Sequence, residues 1–170
     1  MNRLLVALLT CALALGAAAC GGDDESTAPT IPSGADPLGR GGPIVTVGYS
    51  TPQEQIDPVF NRFTNRYPNV SIETTGGTDD ELADAVVKEG NEAFTDVLVV
   101  SNEQTLAGLA EEGLLLTLPQ ALRDLGTDGD PAGRWVRSGT KIPASLAVLK
   151  SSDEPKESQD FVRTLLELSK

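Results

Sequence analysis

Between residues 44 and 170, short β-branched runs alternate with segments of helical period, and this alternation limits the possible folds more than any other feature. The runs IVTVGYS (44–50), VSIETT (70–75) and DVLVV (96–100) read as strands, the last continuously apolar as buried parallel strands tend to be. After the first, Ile56, Val59, Phe60, Phe63 and Tyr67 recur at steps of three and four along one helical face. Pro58 is expected to limit how early that helix starts. Thr78 and Glu81 form a capping box ahead of a helix with Leu82, Ala85 and Val86 inside and Gly90 at its end. Ser101 or Asn102 caps the next helix, which turns Leu106, Leu109 and Ala110 inward and stops at Gly113. LLLTLP (114–119) follows, with Leu114, Leu115 and Leu116 expected to remain partly uncovered, then a weak helix near 120–125 and a Gly/Asp-rich turn over 126–133. A strand-like ASLAVL (144–149) leads to a last helix, capped by Ser152 or Asp153 and carrying Phe161, Val162, Leu165, Leu166 and Leu168. The pattern predicts an α/β layer, a mainly parallel sheet with flanking helices joined by right-handed crossovers.

Upstream the chain has a different character. One arginine, Arg3, precedes an apolar run from Leu4 to Ala19 that ends in small residues. A membrane span needs about 20 apolar residues, and this run is shorter with no basic stop after it. It has the anatomy of a secretory signal, expected over 1–19. Ala17-Ala18-Ala19-Cys20-Gly21 resembles the lipobox of bacterial lipoproteins, although Ala17 stands where a larger aliphatic is usual. That resemblance implies lipidation of Cys20 after cleavage; an ordinary signal cut would instead leave Cys20 as a free thiol. Residues 21–43 are glycine, proline, acids and small polar side chains with little to bury, a flexible linker behind the attachment point. Contact with the membrane is thus expected through the lipid anchor only.

Charge and missing residue types remove several function classes. The formal net charge is −12, and cleavage would take away Arg3 and no acid, so no phosphate-tracking basic surface for nucleic acid is expected. No cysteine follows Cys20, which rules out a disulfide or thiolate metal site within the domain. The chain has no histidine, hence neither the usual general base nor the commonest borderline-metal ligand. No nucleophile–base spacing stands out, and the chain is not expected to be an enzyme or to hold a resident cofactor.

Four segments carry a family resemblance: IVTVGYSTPQEQIDPVFNRFTNRYPNVSIE, GGTDDELADAVVKEG, TDVLVVSNEQTLAGLAEEGLLLTLP and GRWVRSGT, in that order and spacing. Together they resemble the N-terminal lobe of ferric-iron-type extracellular solute-binding proteins, the receptors of ABC importers. PASLAVLKSSDEPKESQDFVRTLLELS is similar to the segment that returns from the second lobe in that family. The resemblance implies a type II periplasmic-binding-protein first lobe over 44–140 and a returning strand and C-terminal helix over 141–170. It further implies a permease partner and a small-molecule or metal solute, ferric iron or similar. Near residues 139–141 the sequence passes directly from first lobe to returning segment. The second lobe, with the adjacent tyrosines that ligate iron in that family, has no counterpart, and solute capture is expected to be impaired. A noncatalytic lipoprotein or protein-interaction module without solute binding remains the alternative.

Candidate ligand-binding residues lie at the strand ends, where open α/β sheets place ligands. Tyr49, Ser50 and Thr51 end the first strand, although Ser/Thr capping of an ordinary turn accounts for them equally. The family's histidine position falls near Thr51–Gln53, so Gln53 joins the candidates. Thr78 follows two glycines at a helix start, but Asp79, Asp80 and Glu81 crowd that terminus and would repel an anion. Ser101 aligns with the family's glutamate position, and Glu103 lies two residues on; a plain helix cap explains these as well. The acids at 23–25 and 79–81 lack calcium-loop spacing and are expected to be solvated.

Overall fold

The computed structural model describes residues 41–90 and 95–170. The signal, Cys20 and nearly all of the linker lie outside the described residues. Among those described, no helix is long and apolar enough to cross a membrane.

The elements alternate as the pattern requires. β1 (Ile44–Tyr49), α1 (Gln53–Arg66), β2 (Ser71–Gly76), α2 (Asp79–Glu89), β3 (Val97–Val100) and α3 (Glu103–Glu111) come first. They are followed by α4 (Gln120–Arg123), β4 (Asp128–Gly129), β5 (Trp135–Arg137), β6 (Ser145–Val148) and α5 (Pro155–Leu168). One six-stranded sheet takes the order β2-β1-β3-β6-β5-β4. The expected α/β class holds, and the sheet is mixed: β2, β1 and β3 are parallel, while β6, β5 and β4 pair antiparallel. ASLAVL is the strand that joins the halves, with Val97 opposite Val148 and Val100 opposite Ser145.

Alternation along β3 and β6 divides the core. Val97, Val99, Leu146 and Val148 face α1 and α5, meeting Ile56, Val59, Phe63, Phe161, Val162 and Leu165. Leu98, Val100, Ala147 and Leu149 face the other layer, meeting Leu82, Val86, Leu106 and Leu109. Both strands are therefore buried throughout, β3 with apolar side chains alone and β6 with Ser145 besides, because both faces are covered. Phe161 lies between Phe60 and Phe63, with ring centroids 5.8 Å and 5.4 Å away. Aromatic pairs at that range add stabilisation beyond area burial.

Several local expectations need correction. Pro58 does not delay α1, which starts at Gln53 and runs through it. The only bond that Pro58 forgoes is the one to Glu54 in the first turn, and its ring is on the exposed side. Neither Ser152 nor Asp153 caps α5. Glu154 is the N-cap without a side-chain cap bond, and Pro155 opens the helix, where its missing N–H costs nothing. The Gly126–Gly133 turn contains β4, and Ala85 is exposed while Leu82 and Val86 are buried. Leu115, in a run expected to stay partly uncovered, is 1% exposed, bridged to Leu149 and packed beneath α3.

The capping box is formed: the Thr78 amide and hydroxyl donate to Glu81 Oε2 at 2.9 and 3.0 Å, and the Glu81 amide donates back to the Thr78 hydroxyl at 3.2 Å. The Thr78 amide, and then its hydroxyl, hold the Glu81 carboxyl below the ordinary value of 4.5. That contribution is complete above about pH 4.5 and is lost as pH falls through the lowered value. Gly90 closes α2 at φ 58°, a conformation glycine adopts without a Cβ penalty.

The link from β5 to β6 is short and closed by hydrogen bonds between its ends. The Ser138 amide donates to the Ala144 carbonyl at 2.9 Å, and the Ala144 amide donates to Ser138 Oγ at 2.8 Å. The loop is also held to the end of α5: the Gly139 amide donates to Ser169 Oγ at 2.9 Å and the Lys141 amide to the Ser169 carbonyl at 3.1 Å. A Cβ on Gly139 would stand 2.3 Å from that carbonyl, so only glycine allows the approach.

Candidate functional site

Parallel pairing brings the carboxyl ends of β1, β2 and β3 to one level. Tyr49 is in register with both Gly76 and Val99. The ladder continues one step further, with the Ser50 amide on the Val99 carbonyl at 3.0 Å and the Gly77 amide on the Tyr49 carbonyl at 3.1 Å. Ser50 and Ser101 consequently emerge side by side. The Ser101 amide donates to Ser50 Oγ at 3.0 Å, and the two hydroxyl oxygens are 3.4 Å apart.

The first residue of α2 reaches over this junction. Asp79 Oδ1 accepts a short hydrogen bond from the Ser50 hydroxyl and one of 3.1 Å from the Ser101 amide. Asp79 Oδ2 accepts from the Asn102 amide at 2.8 Å. Asn102 is the N-cap of α3, its side chain accepting from the Gln104 amide at 3.0 Å. The exposed amides at the start of α3 are thus met by a carboxylate from another helix. Asp79 is not merely a solvated acid complementing its own helix terminus, and this correction changes the chemistry of the edge.

The remaining candidates are placed apart from that junction. Tyr49 projects from the other face of β1, its ring edge-on to Phe60 at 5.9 Å. Thr78 is occupied by its capping box. Gln53 opens α1 and is exposed. Glu103 pairs with Arg137 at 3.1 Å, a contact with both side chains about half exposed, which is worth at most about 1 kcal/mol. Thr51 is 2% exposed, and its hydroxyl has no hydrogen-bond partner. Buried polar groups are bonded in the great majority of cases, and this hydroxyl is an exception.

Of the sequence candidates, Ser50 and Ser101 meet at this junction, whereas Asp79 and Arg137, which bond to Ser50, Ser101 and Glu103, are not among them. A first-turn acid carries no local sign of a bond to two other segments. Among the described residues, no group of three or more His, Cys, Asp or Glu side chains is arranged to hold a metal. A cleft of about 140 Å³ lies among Arg123, Asp128, Asp130 and Trp135, at the other end of β5 from Arg137. It falls short of the roughly 300–1,000 Å³ of ordinary ligand pockets. There Arg134 holds the Asp130 carboxyl below its usual range through a 2.6 Å bond.

No family model matches the sequence, and no curated protein matches it. Solved structures do resemble the fold. Iron-bound HitA from Pseudomonas aeruginosa superposes with a TM-score of 0.65 at 14% identity, over 71% of this chain and 80% of that one. The substrate binding domain of a proposed molybdenum ABC transporter from Clostridium difficile gives 0.52 at 12% identity, over 72% and 92%. The ferric binding protein from Campylobacter jejuni gives 0.51 at 13% identity, where the match covers 56% of this chain but 31% of that one. At such identities the likeness concerns architecture: this is an α/β chain with the fold of periplasmic solute-binding proteins.

Proposed function

We propose that this chain is an extracytoplasmic solute-binding lipoprotein of the ABC-import type, reduced to one lobe. Residues 1–19 serve as its export signal, the lipid on Cys20 holds it to the membrane, and 20–43 are the tether. The observation that carries the reading is the junction of Ser50, Ser101 and Asp79 at the carboxyl ends of the parallel strands. Ligands of open α/β sheets bind at that edge, and the neighbours of known structure are described as binding iron or as substrate-binding domains. The solute is ferric iron or a similar small polar species, delivered to a permease. Carboxylates at the edge, Asp79 and Glu103, favour a cation. A single lobe has no opposite wall to close over the ligand, so capture is weak.

Titrating the purified protein with ferric citrate is expected to give weak, saturable heat that Ser50→Ala removes. No visible phenolate-to-iron charge-transfer band should grow, because the two tyrosines, Tyr49 at the end of β1 and Tyr67 at the far end of α1, do not form a ligand pair. Unchanged heat in the Ser50→Ala protein would place binding elsewhere, and a growing band would establish tyrosine ligation. Complete absence of heat would favour an interaction module instead. The closed 138–144 loop, with its backbone bonded to itself and to Ser169, supports that second reading.

The anchor has its own test. In a bacterial host the protein should incorporate labelled fatty acid, and Cys20→Ala should stay uncleaved or be released in soluble form. Processing and acylation of the Cys20→Ala protein like the parent would refute the anchor.

A further inference from the structure

Three hydrogen-bond donors at the strand ends converge on one internal carboxylate. They are the Ser50 hydroxyl beyond β1 and the Ser101 and Asn102 amides beyond β3, and all three meet Asp79 of α2. Such donors, beside the N-terminus of the nine-residue α3, are what a small anion needs for binding. The carboxylate already occupies them. The next residue along β1's exit, Thr51, is 2% exposed with its hydroxyl unpartnered.

We propose that Asp79 is the specificity-determining residue of the strand-end site: its carboxylate fills the Ser50–Ser101–Asn102 nest, so the native edge rejects small oxyanions and admits cationic or neutral polar solutes. The proposal rests on the strand-end reading given above. An approaching oxyanion would meet a fixed negative charge and no free donor, since charge-assisted bonds already tie up each N–H and the hydroxyl. Removing that carboxylate frees the three donors and exposes the positive end of α3. Glu81 does not take its place, because Thr78 holds both its oxygen and its amide.

Inorganic phosphate, titrated into the full chain and followed by calorimetry and by the amide resonances of Ser101 and Asn102, tests this. The native protein should give no saturable heat and unmoved resonances. Asp79→Ala should bind phosphate at least about tenfold more tightly than the native chain, with both resonances shifting and Ser50→Ala in the same background abolishing the effect. Asp79→Ser keeps a polar first-turn residue and carries the same expectation should alanine impair folding. Phosphate binding by the native chain with shifts at Ser101 and Asn102 overturns the proposal, as does a folded Asp79 variant that binds none. Failure of ferric citrate to bind the native chain would count against its assigned solute and leave this outcome untouched, because the phosphate titration needs no native ligand.

Discussion

A chain ending at Ser138 is expected to lose cooperative thermal unfolding altogether. The truncation removes β6, which stands between β3 and β5, and α5, which covers one face of the sheet. Leu146, Val148, Phe161, Val162, Leu165 and Leu166 are each 0% exposed. Each contributes about 1.5–3 kcal/mol by burial, which together matches the whole net stability of a domain, about 5–15 kcal/mol. Without β6, the all-buried β3 would become an open apolar edge prone to self-association. Near-ultraviolet circular dichroism during a melt measures the outcome. A retained sigmoidal transition would show that β1, β2 and β3 close a core without residues 139–170.

Phe161→Ala should cost about 3–5 kcal/mol, the usual penalty for emptying a buried aromatic site, and lower Tm by more than about 10 °C. The ring is fully enclosed and wedged between Phe60 and Phe63, so its removal leaves a cavity that two rigid rings cannot collapse to fill. Val87→Ala provides the contrast. Val87 is 47% exposed on α2, and a change of less than about 0.5 kcal/mol is expected there. Denaturant titration of both variants checks the pair. A loss below about 1 kcal/mol for Phe161→Ala would mean that α5 is not docked on the sheet.

What could be read from the sequence was whatever local chemistry or repeated spacing encodes. The step-three-and-four face of α1, the Thr78–Glu81 box and the apolar run of β3 each declare themselves within a few residues, and each is present. The inward face of α5 was equally legible. Partnership between distant segments was not. β4 and β5 are two and three residues long, too short for any period, and they exist because β5 pairs with the edge of β6 and β4 in turn with β5. Leu115 reads as one of three partly uncovered leucines until Leu149, just beyond β6, bridges to it. At the site, Ser50 and Ser101 could be named as strand ends. The bond from each to Asp79 spans 29 and 22 residues of chain and leaves no local mark.

The loop between β5 and β6 has a consequence for how such a chain can change. Its first and last residues, Ser138 and Ala144, already face each other: the Ser138 amide donates to the Ala144 carbonyl, and the Ala144 amide to the Ser138 hydroxyl. Those bonds fix the adjoining ends of β5 and β6, so extra chain could be spliced in between without shifting the sheet, at the loss of the Gly139 and Lys141 bonds to Ser169. Closure entropy rises only by about 0.6 kcal/mol for each doubling of loop length. An insertion of domain size there would emerge from the same edge as Ser50 and Ser101, since Arg137 and Ser145 lie level with Val100 across the sheet. The seam is thus a natural port for modular exchange, open to gaining a whole folded unit above the strand ends or to doing without one.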